Sequence, residues 1–217
     1  MKIHPKVYRI DSMLPIYQYL IVEPDSLVLI DTGFMGNQKR IINNIKKIGF
    51  GPDDLKTILI THSDGDHYGA LAALEKVSSV RVGASNIEAQ SIRNGSVSRE
   101  IKATGLQKVF FTLFGKIVAR NPKDARIDDI LVPGQVLPVL GGLIVLDTSG
   151  HTPGHLSFFS ESENILFAGD SIVIQNSKPT SSSGSICWDE NKARQAFDMQ
   201  MELNPMLICA GHGLYQA

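Results

Sequence analysis

The sequence predicts an α/β fold, and three observations carry that expectation. Short β-rich runs alternate with amphipathic helical stretches, the β-to-α order occurs twice, and one run, TILI at 57–60, is apolar throughout, as a central strand requires. The 217 residues suffice for one domain with a substantial core, and no convincing linker divides them.

Taken in order, VYRI, IYQYLIV and SLVLID read as a meander of short strands separated by turn residues or charge. Ile41, Ile42, Ile45 and Ile48 then fall at helical spacing until Gly49 offers a C-terminal cap. TILI runs directly into Thr61-His62-Ser63-Asp64-Gly65-Asp66-His67, and a helix from Gly69 to Val77 and the short strand RVGA follow. Residues 84–128 change character and read as a largely helical insertion. Leu106, Val109, Phe110, Leu113, Phe114, Ile117 and Val118 mark one stripe of a helix there. That stripe is read first as core packing and second as a lid or a subunit contact, the latter allowing a homodimer.

Strands return in ILV, LIVLD, HLSFFS and NILFAGD, followed by a helix from about Glu190 to Leu203 and the strand MLICA. Ala193, Phe197 and Met201 share one face of that helix. Between Asp170 and the helix, NSKPTSSSGSICW is rich in serine, glycine and proline and reads as a mobile surface loop, placed beside any site that Asp170 helps to form.

Composition narrows the function. Hydrophobic residues at 43% and charged residues at 20% are those of a soluble globular protein. With 21 basic against 22 acidic side chains, the net charge of -1 supplies no broad basic surface for nucleic acid or anionic membrane, so a small-molecule substrate is the expectation. No stretch reaches the roughly 20 apolar residues that span a bilayer. The two cysteines, Cys187 and Cys209, form no CxxC pair, which favours a reducing, cytoplasmic setting. Cys209 reads as core; Cys187, beside Trp188, is placed where it could face a pocket.

Four apolar runs share one arrangement. TILI leads into His62, Asp64, Asp66 and His67; LIVLD leads to His151; NILFAG ends in Asp170; and MLICAG ends in His212. Rigid strands whose carboxyl ends deliver imidazoles and carboxylates build one cluster at one sheet edge. These are the donors of open catalytic zinc and iron sites, and seven of them suit two metals. Gly65 eases the tight loop that turns the first four inward. His4, isolated from these motifs, reads as an ordinary surface or core histidine. Asp31 and His155 read as neighbours that orient loops or ligands, and Tyr68 and Tyr215 as packing residues or proton donors to a leaving group.

His62-Ser63-Asp64-Gly65-Asp66-His67, Gly150-His151-Thr152-Pro153-Gly154-His155, Gly169-Asp170 and Gly211-His212 resemble, in order and over nearly the whole chain, the motifs of the metallo-β-lactamase superfamily. The resemblance implies an αββα sandwich: two mixed sheets packed face to face between helices. It also implies one metal on His62, Asp64 and His151, a second on Asp66, His67 and His212, and Asp170 as the bridge.

The resemblance implies a metal-dependent hydrolase in which a bridging hydroxide cleaves a small ester, lactone or thioester, as in glyoxalase II-like and lactonase-like members. Asp66 there also holds the nucleophile's proton. One departure stands out, since the family's usual HxHxDH is HxDxDH here, with Asp64 replacing a neutral donor. Asp64, Asp66, Asp170 and a hydroxide would balance two divalent ions to zero, a less positive centre expected to hold iron or manganese comparatively well beside zinc. Flavodiiron members carry glutamate at that position, so a diiron redox or oxygen-sensing protein is the rival expectation, although the chain leaves no room for a flavin domain. A small-ligand binder without turnover is the third.

Overall fold

The computed structural model describes residues 1–12, 14–100, 122 and 125–217. The stripe from Leu106 to Val118 lies outside the described residues, as does most of the expected insertion.

Among the described residues, the first sheet has seven strands in sequence order: β1 (Lys2–His4), β2 (Val7–Asp11), β3 (Tyr17–Glu23), β4 (Ser26–Ile30), β5 (Leu55–Leu59), β6 (Arg81–Ala84) and β7 (Asp129–Ile130). Pairing is antiparallel through β4 and parallel beyond it. The remaining strands among the described residues are β8 (Val136–Leu137), β9 (Leu143–Asp147), β10 (Leu156–Ser160), β11 (Ile165–Gly169), β12 (Ile172–Gln175), β13 (Lys178–Ser181), β14 (Leu207–Ala210) and β15 (Gly213–Gln216). Six of them form the second sheet in the order β15-β14-β11-β10-β9-β8, and β12 and β13 make a separate hairpin.

Side-chain alternation explains the layering. Along β4, Val28 and Ile30 enter the core between the sheets while Leu27 and Leu29 face the opposite way. Along β11, Ile165 and Phe167 enter that same core, and Leu166 and Ala168 face outward. Strands buried on both faces need a cover on each side. On the first sheet it comes from α1 (Gln38–Lys47), α2 (Gly65–Tyr68), α3 (Leu71–Leu74) and α4 (Asn86–Asn94), through Ile41, Ile45, Leu71, Leu74 and Ile92. On the second it comes from α5 (Glu190–Glu202), through Phe197 and Met201. The result is the expected αββα sandwich of two mixed sheets. Among the described residues, no helix is long and apolar enough to cross a membrane.

Two local expectations need correction. The helix read from Gly69 to Val77 is instead only α3, Leu71–Leu74, separated from α2 by Gly69 and Ala70. A Cβ at Gly69 would collide with the backbone of Gly65, Met35 and Gly33, and Ala70 N–H donates to Gly33 O at 3.2 Å, so the chain is pressed against the turn after β4 and cannot run on as one helix. The segment read as a mobile loop contributes most of the hairpin. Asn176 and Ser177 both adopt left-handed backbone angles, φ 49° and 61°, the pattern of a two-residue hairpin turn whose twist matches its strands. Cys209 lies in the inter-sheet core, as its apolar run suggested.

Phe167, fully buried, meets the Tyr19 ring edge-on at 5.9 Å between the sheets. Phe167→Ala is expected to lower unfolding free energy by about 3–5 kcal/mol in urea titration; an unchanged midpoint would contradict this placement of the core.

Candidate metal centre

Strand direction brings the seven residues together. β9 and β11 are both antiparallel to β10, and β11 is parallel to β14, so β9, β11 and β14 run the same way and His151, Asp170 and His212 follow their carboxyl ends. His62 to His67 follow β5 of the other sheet. Leu156 N–H donates to Thr61 O at 3.0 Å, tying the sheets together at this edge. Glycine is required where the turn after β14 passes the cluster, because a Cβ at Gly211 would run into Asp170 Oδ1 and the His67 ring.

Two donor groups share one carboxylate. In the first, Asp64 Oδ2 lies 3.5 Å from His62 Nε2 and 3.3 Å from His151 Nε2. In the second, Asp66 Oδ2 lies 3.6 Å from His212 Nε2 and 4.0 Å from His67 Nε2. Asp170 reaches both: Oδ1 is 3.4 Å from His67 Nε2, while Oδ2 is 3.2 Å from His212 Nε2 and 3.7 Å from His151 Nε2. Donors about 2.0–2.2 Å from one tetrahedral ion stand roughly 3.3–3.6 Å apart, so most of these spacings suit ligands of a common ion.

The histidine tautomers follow from their outer partners. Asp31 accepts from Thr61 N–H (2.9 Å) and Thr61 Oγ1–H (2.8 Å), and from His67 Nδ1–H (2.8 Å). Because the Thr61 hydroxyl hydrogen points to Asp31, its oxygen accepts from His62 Nδ1–H at 2.9 Å. His212 Nδ1 lies 3.1 Å from Pro15 O, a carbonyl that can only accept. All three rings therefore turn Nε2 inward. His155 contacts the Asp170 turn: its Nε2 accepts from Asp170 N–H at 3.1 Å, so its Nδ1–H donates to Thr148 Oγ1 at 2.8 Å.

Electrostatics agree with this arrangement. Burial opposes the charge on Asp170, yet His212 and His67 hold its carboxyl well below the usual range. Burial likewise opposes His67, but Asp170, Asp31 and Asp66 raise it well above an ordinary histidine. Asp170 pushes His212 up to about 9. Protons are what the carboxylates attract here, and a divalent cation competes for the same lone pairs. His155, pushed well down by burial and by His62 and His151, stays neutral.

Sequence reasoning missed two residues. Arg99 is buried, its side chain 2% exposed, and forks onto Asp64: Nη1 donates to Oδ1 at 2.6 Å and Nη2 to Oδ2 at 2.7 Å. Its Nε donates to Ile186 O at 2.6 Å, and Nη2 lies 3.4 Å from His151 Nε2. The second is Glu88 on α4, wholly buried. It accepts from Ser63 N–H (2.9 Å) on the His62 loop, from Thr152 Oγ1–H (2.8 Å) and Gly154 N–H (2.9 Å) on the His151 loop, and from Ser98 Oγ–H (2.9 Å) beside Arg99. A glutamate on the same buried helix face as Ala89 and Ile92 was the available signal. Arg99 offered none, being one of 21 basic residues in a segment without pattern.

The other candidates take structural places. Tyr68 is fully buried in the core beneath the first helical layer, and burial pushes its hydroxyl well up. Tyr215 packs against the second outer core. Cys187 is buried and its thiol donates to Gly150 O at 3.2 Å. A cavity of about 330 Å³ is bounded by Val97, Ser98, Arg99, Glu100 and Trp188, and Arg99 is its link to Asp64. A larger cleft, about 1010 Å³, lies along α1 and has none of the seven residues in its lining.

The residues present fit divalent ions on one further ground. Among the described residues, His62 Nε2, His67 Nε2 and Asp170 Oδ1 are buried with no hydrogen-bond partner, a state that carries a large desolvation penalty unless something else satisfies them.

The sequence pattern of the Metallo-beta-lactamase superfamily matches residues 12–212. The chain is 29% identical to the probable metallo-hydrolase YflN of Bacillus subtilis, over 88% of its own length and 77% of that protein's. It is 28% identical to hydroxyacylglutathione hydrolase GloC of Haemophilus influenzae, over 65% of this chain and 59% of the relative. It is 27% identical to an N-acyl homoserine lactonase of Bacillus thuringiensis, over 69% and 60% respectively. A metallo-beta-lactamase family protein from Thermus thermophilus superposes with a TM-score of 0.74 at 25% identity, covering 99% of this chain and 76% of that one.

Glu88→Ala would strand two loop N–H groups and is expected to lower stability by about 1–3 kcal/mol per unsatisfied donor. Urea unfolding with backbone NMR of Ser63 and Gly154 checks this, and unshifted amide signals would rule out the tie.

Proposed function

The chain belongs to the metallo-beta-lactamase superfamily, and from that membership we propose that it is a metal-dependent hydrolase of a small ester, lactone or thioester. The observation that carries the proposal is Asp170, whose two oxygens approach His67 on one side and His151 and His212 on the other. In this reading His62, Asp64 and His151 form one ligand group, Asp66, His67 and His212 the other, and Asp170 belongs to both. When bound, divalent ions supply the Lewis acidity that makes water nucleophilic near neutral pH and polarises the scissile carbonyl.

The chain's own side chains do the remaining work. Asp31 and Thr61 fix the His67 and His62 rings so that no reorientation is needed at the moment of reaction. Asp66 stands at the rim, its side chain 23% exposed, with Oδ2 turned toward His212; its other oxygen takes the proton of the attacking water. His155 and Glu88 hold the backbone of Asp170 and of the two histidine loops.

Arg99 also bears on the choice of metal. Counting it with the ligand set, the charge sum rises from zero to one positive unit, the value of the usual family set. The pull toward iron or manganese expected from Asp64 is thereby offset, and zinc stands level with them.

The substrate class rests on the relatives. A hydroxyacylglutathione is a thioester and a homoserine lactone a cyclic ester, and both present a carbonyl carbon with a sulfur or oxygen leaving group. The test is a screen of thioesters, lactones and simple esters with protein stripped by chelator and then reloaded. Stripping is expected to abolish cleavage and zinc, manganese or ferrous iron to restore it; cleavage that survives stripping would refute the proposal. Asp66→Asn is expected to lower kcat by about 10²–10⁴-fold in the reloaded enzyme, and an unaltered kcat would remove its proton-transfer role.

A further inference from the structure

The two ligand groups are not equivalent. Three atoms, His62 Nε2 from the first group, His67 Nε2 from the second and Asp170 Oδ1 between them, are buried without hydrogen-bond partners and lie close enough together to serve one ion. In the group of His62, Asp64 and His151, by contrast, a cation is already built into the protein. The guanidinium of Arg99 takes both oxygens of Asp64, and its Nη2 lies near His151 Nε2 as well, so one nitrogen approaches two of the three donors in that group.

We propose that Arg99 competes with an ion for Asp64 and His151, so that the centre holds one ion tightly through the partnerless atoms of His62, His67 and Asp170 and a second only weakly. This rests on the metal-dependent reading above and deepens it.

The physical reason is the permanence of the charge. An imidazole gives up any proton it carries when a metal takes the lone pair, so the histidines do not block an ion. A guanidinium does not deprotonate in a protein. An ion entering beside Asp64 must displace Arg99 or remain against a like charge in a buried place, where such repulsion is screened little. Displacement is opposed because Arg99 is held at three nitrogens, by Asp64 and by Ile186 O, and its side chain is 2% exposed. The replacement of a neutral donor by Asp64 also gains a purpose: an anion at that position keeps the arginine in place.

The experiment is equilibrium titration of the stripped full chain with zinc and with manganese against a chromophoric chelator, with metal content measured after dialysis. Wild type is expected to keep one equivalent and to bind a second at least ~10-fold more weakly. Arg99→Met, which preserves length but not charge, is expected to tighten the second equivalent at least ~10-fold, and Asp64→His with Arg99→Met to retain two equivalents through dialysis. Two equivalents of matched affinity in wild type would overturn the proposal, and so would a folded Arg99→Met protein that binds no more metal than wild type. The wild-type titration decides alone if the variants do not fold. Binding of no metal at all would sink the hydrolase reading together with this one.

Discussion

Burial of carboxylates at a single sheet edge is the constraint from which the rest of the centre follows. Asp31, Glu88 and Asp170 are buried, and Asp64 is largely so. An anion removed from water requires donors or cations, and each of these has a different solution. Asp31 takes a backbone N–H, a hydroxyl and an imidazole; Glu88 takes backbone N–H groups and hydroxyls of two ligand loops; Asp64 takes a guanidinium. Of these four, only Asp170 retains an oxygen with no hydrogen-bond partner, and it is the carboxylate that lies between the two candidate ligand groups. The layout of the other three can be understood as what leaves that oxygen, and the imidazole nitrogens opposite it, facing inward.

The fold delivers this because the strands concerned share a direction. β9, β11 and β14 run alike in one sheet, β4 and β5 run alike in the other, and the cluster occupies the turns beyond their carboxyl ends. Close approach of those turns accounts for Gly69 and Gly211, where side chains would strike neighbouring backbone or ligands. Strand direction and glycine placement are backbone properties, so the site's geometry is set by the sandwich itself and not by flexible loops.

What the sequence disclosed and what it withheld divide along the same line. Strands such as TILI and MLICA were legible because burial on both faces favours continuous apolar runs, and the candidate ligands were legible because they punctuate the ends of such runs. The hairpin of β12 and β13 was hidden by its composition: Lys178 to Ser181 is polar and holds a proline, and its turn relies on left-handed Asn176 and Ser177 without a glycine. Glu88 and Arg99 were hidden for another reason. Their roles depend on which residues lie across from them in space, 66 positions away for Glu88 and Gly154 and 35 for Arg99 and Asp64, and no local pattern encodes such a pairing.

Asp64 and Arg99 therefore change the meaning of the one departure from the usual ligand motif. Read alone, an aspartate in a histidine's place adds an anion and makes the centre less positive. Paired with a buried guanidinium, it adds an ion pair whose net charge is zero but whose positive end stands next to His151. Asp31 and Asp64 illustrate the difference between two ways of satisfying a buried carboxylate. The donors on Asp31 are a backbone amide, a neutral hydroxyl and an imidazole that can give up a proton, and they organise the histidines while leaving the charge of the centre adjustable. The donor on Asp64 is permanently charged, so it satisfies the carboxylate and at the same time sets a local potential that any ion or anionic intermediate beside it must meet. A developing negative charge on a substrate oxygen would be favoured there for the same reason that a second cation is not.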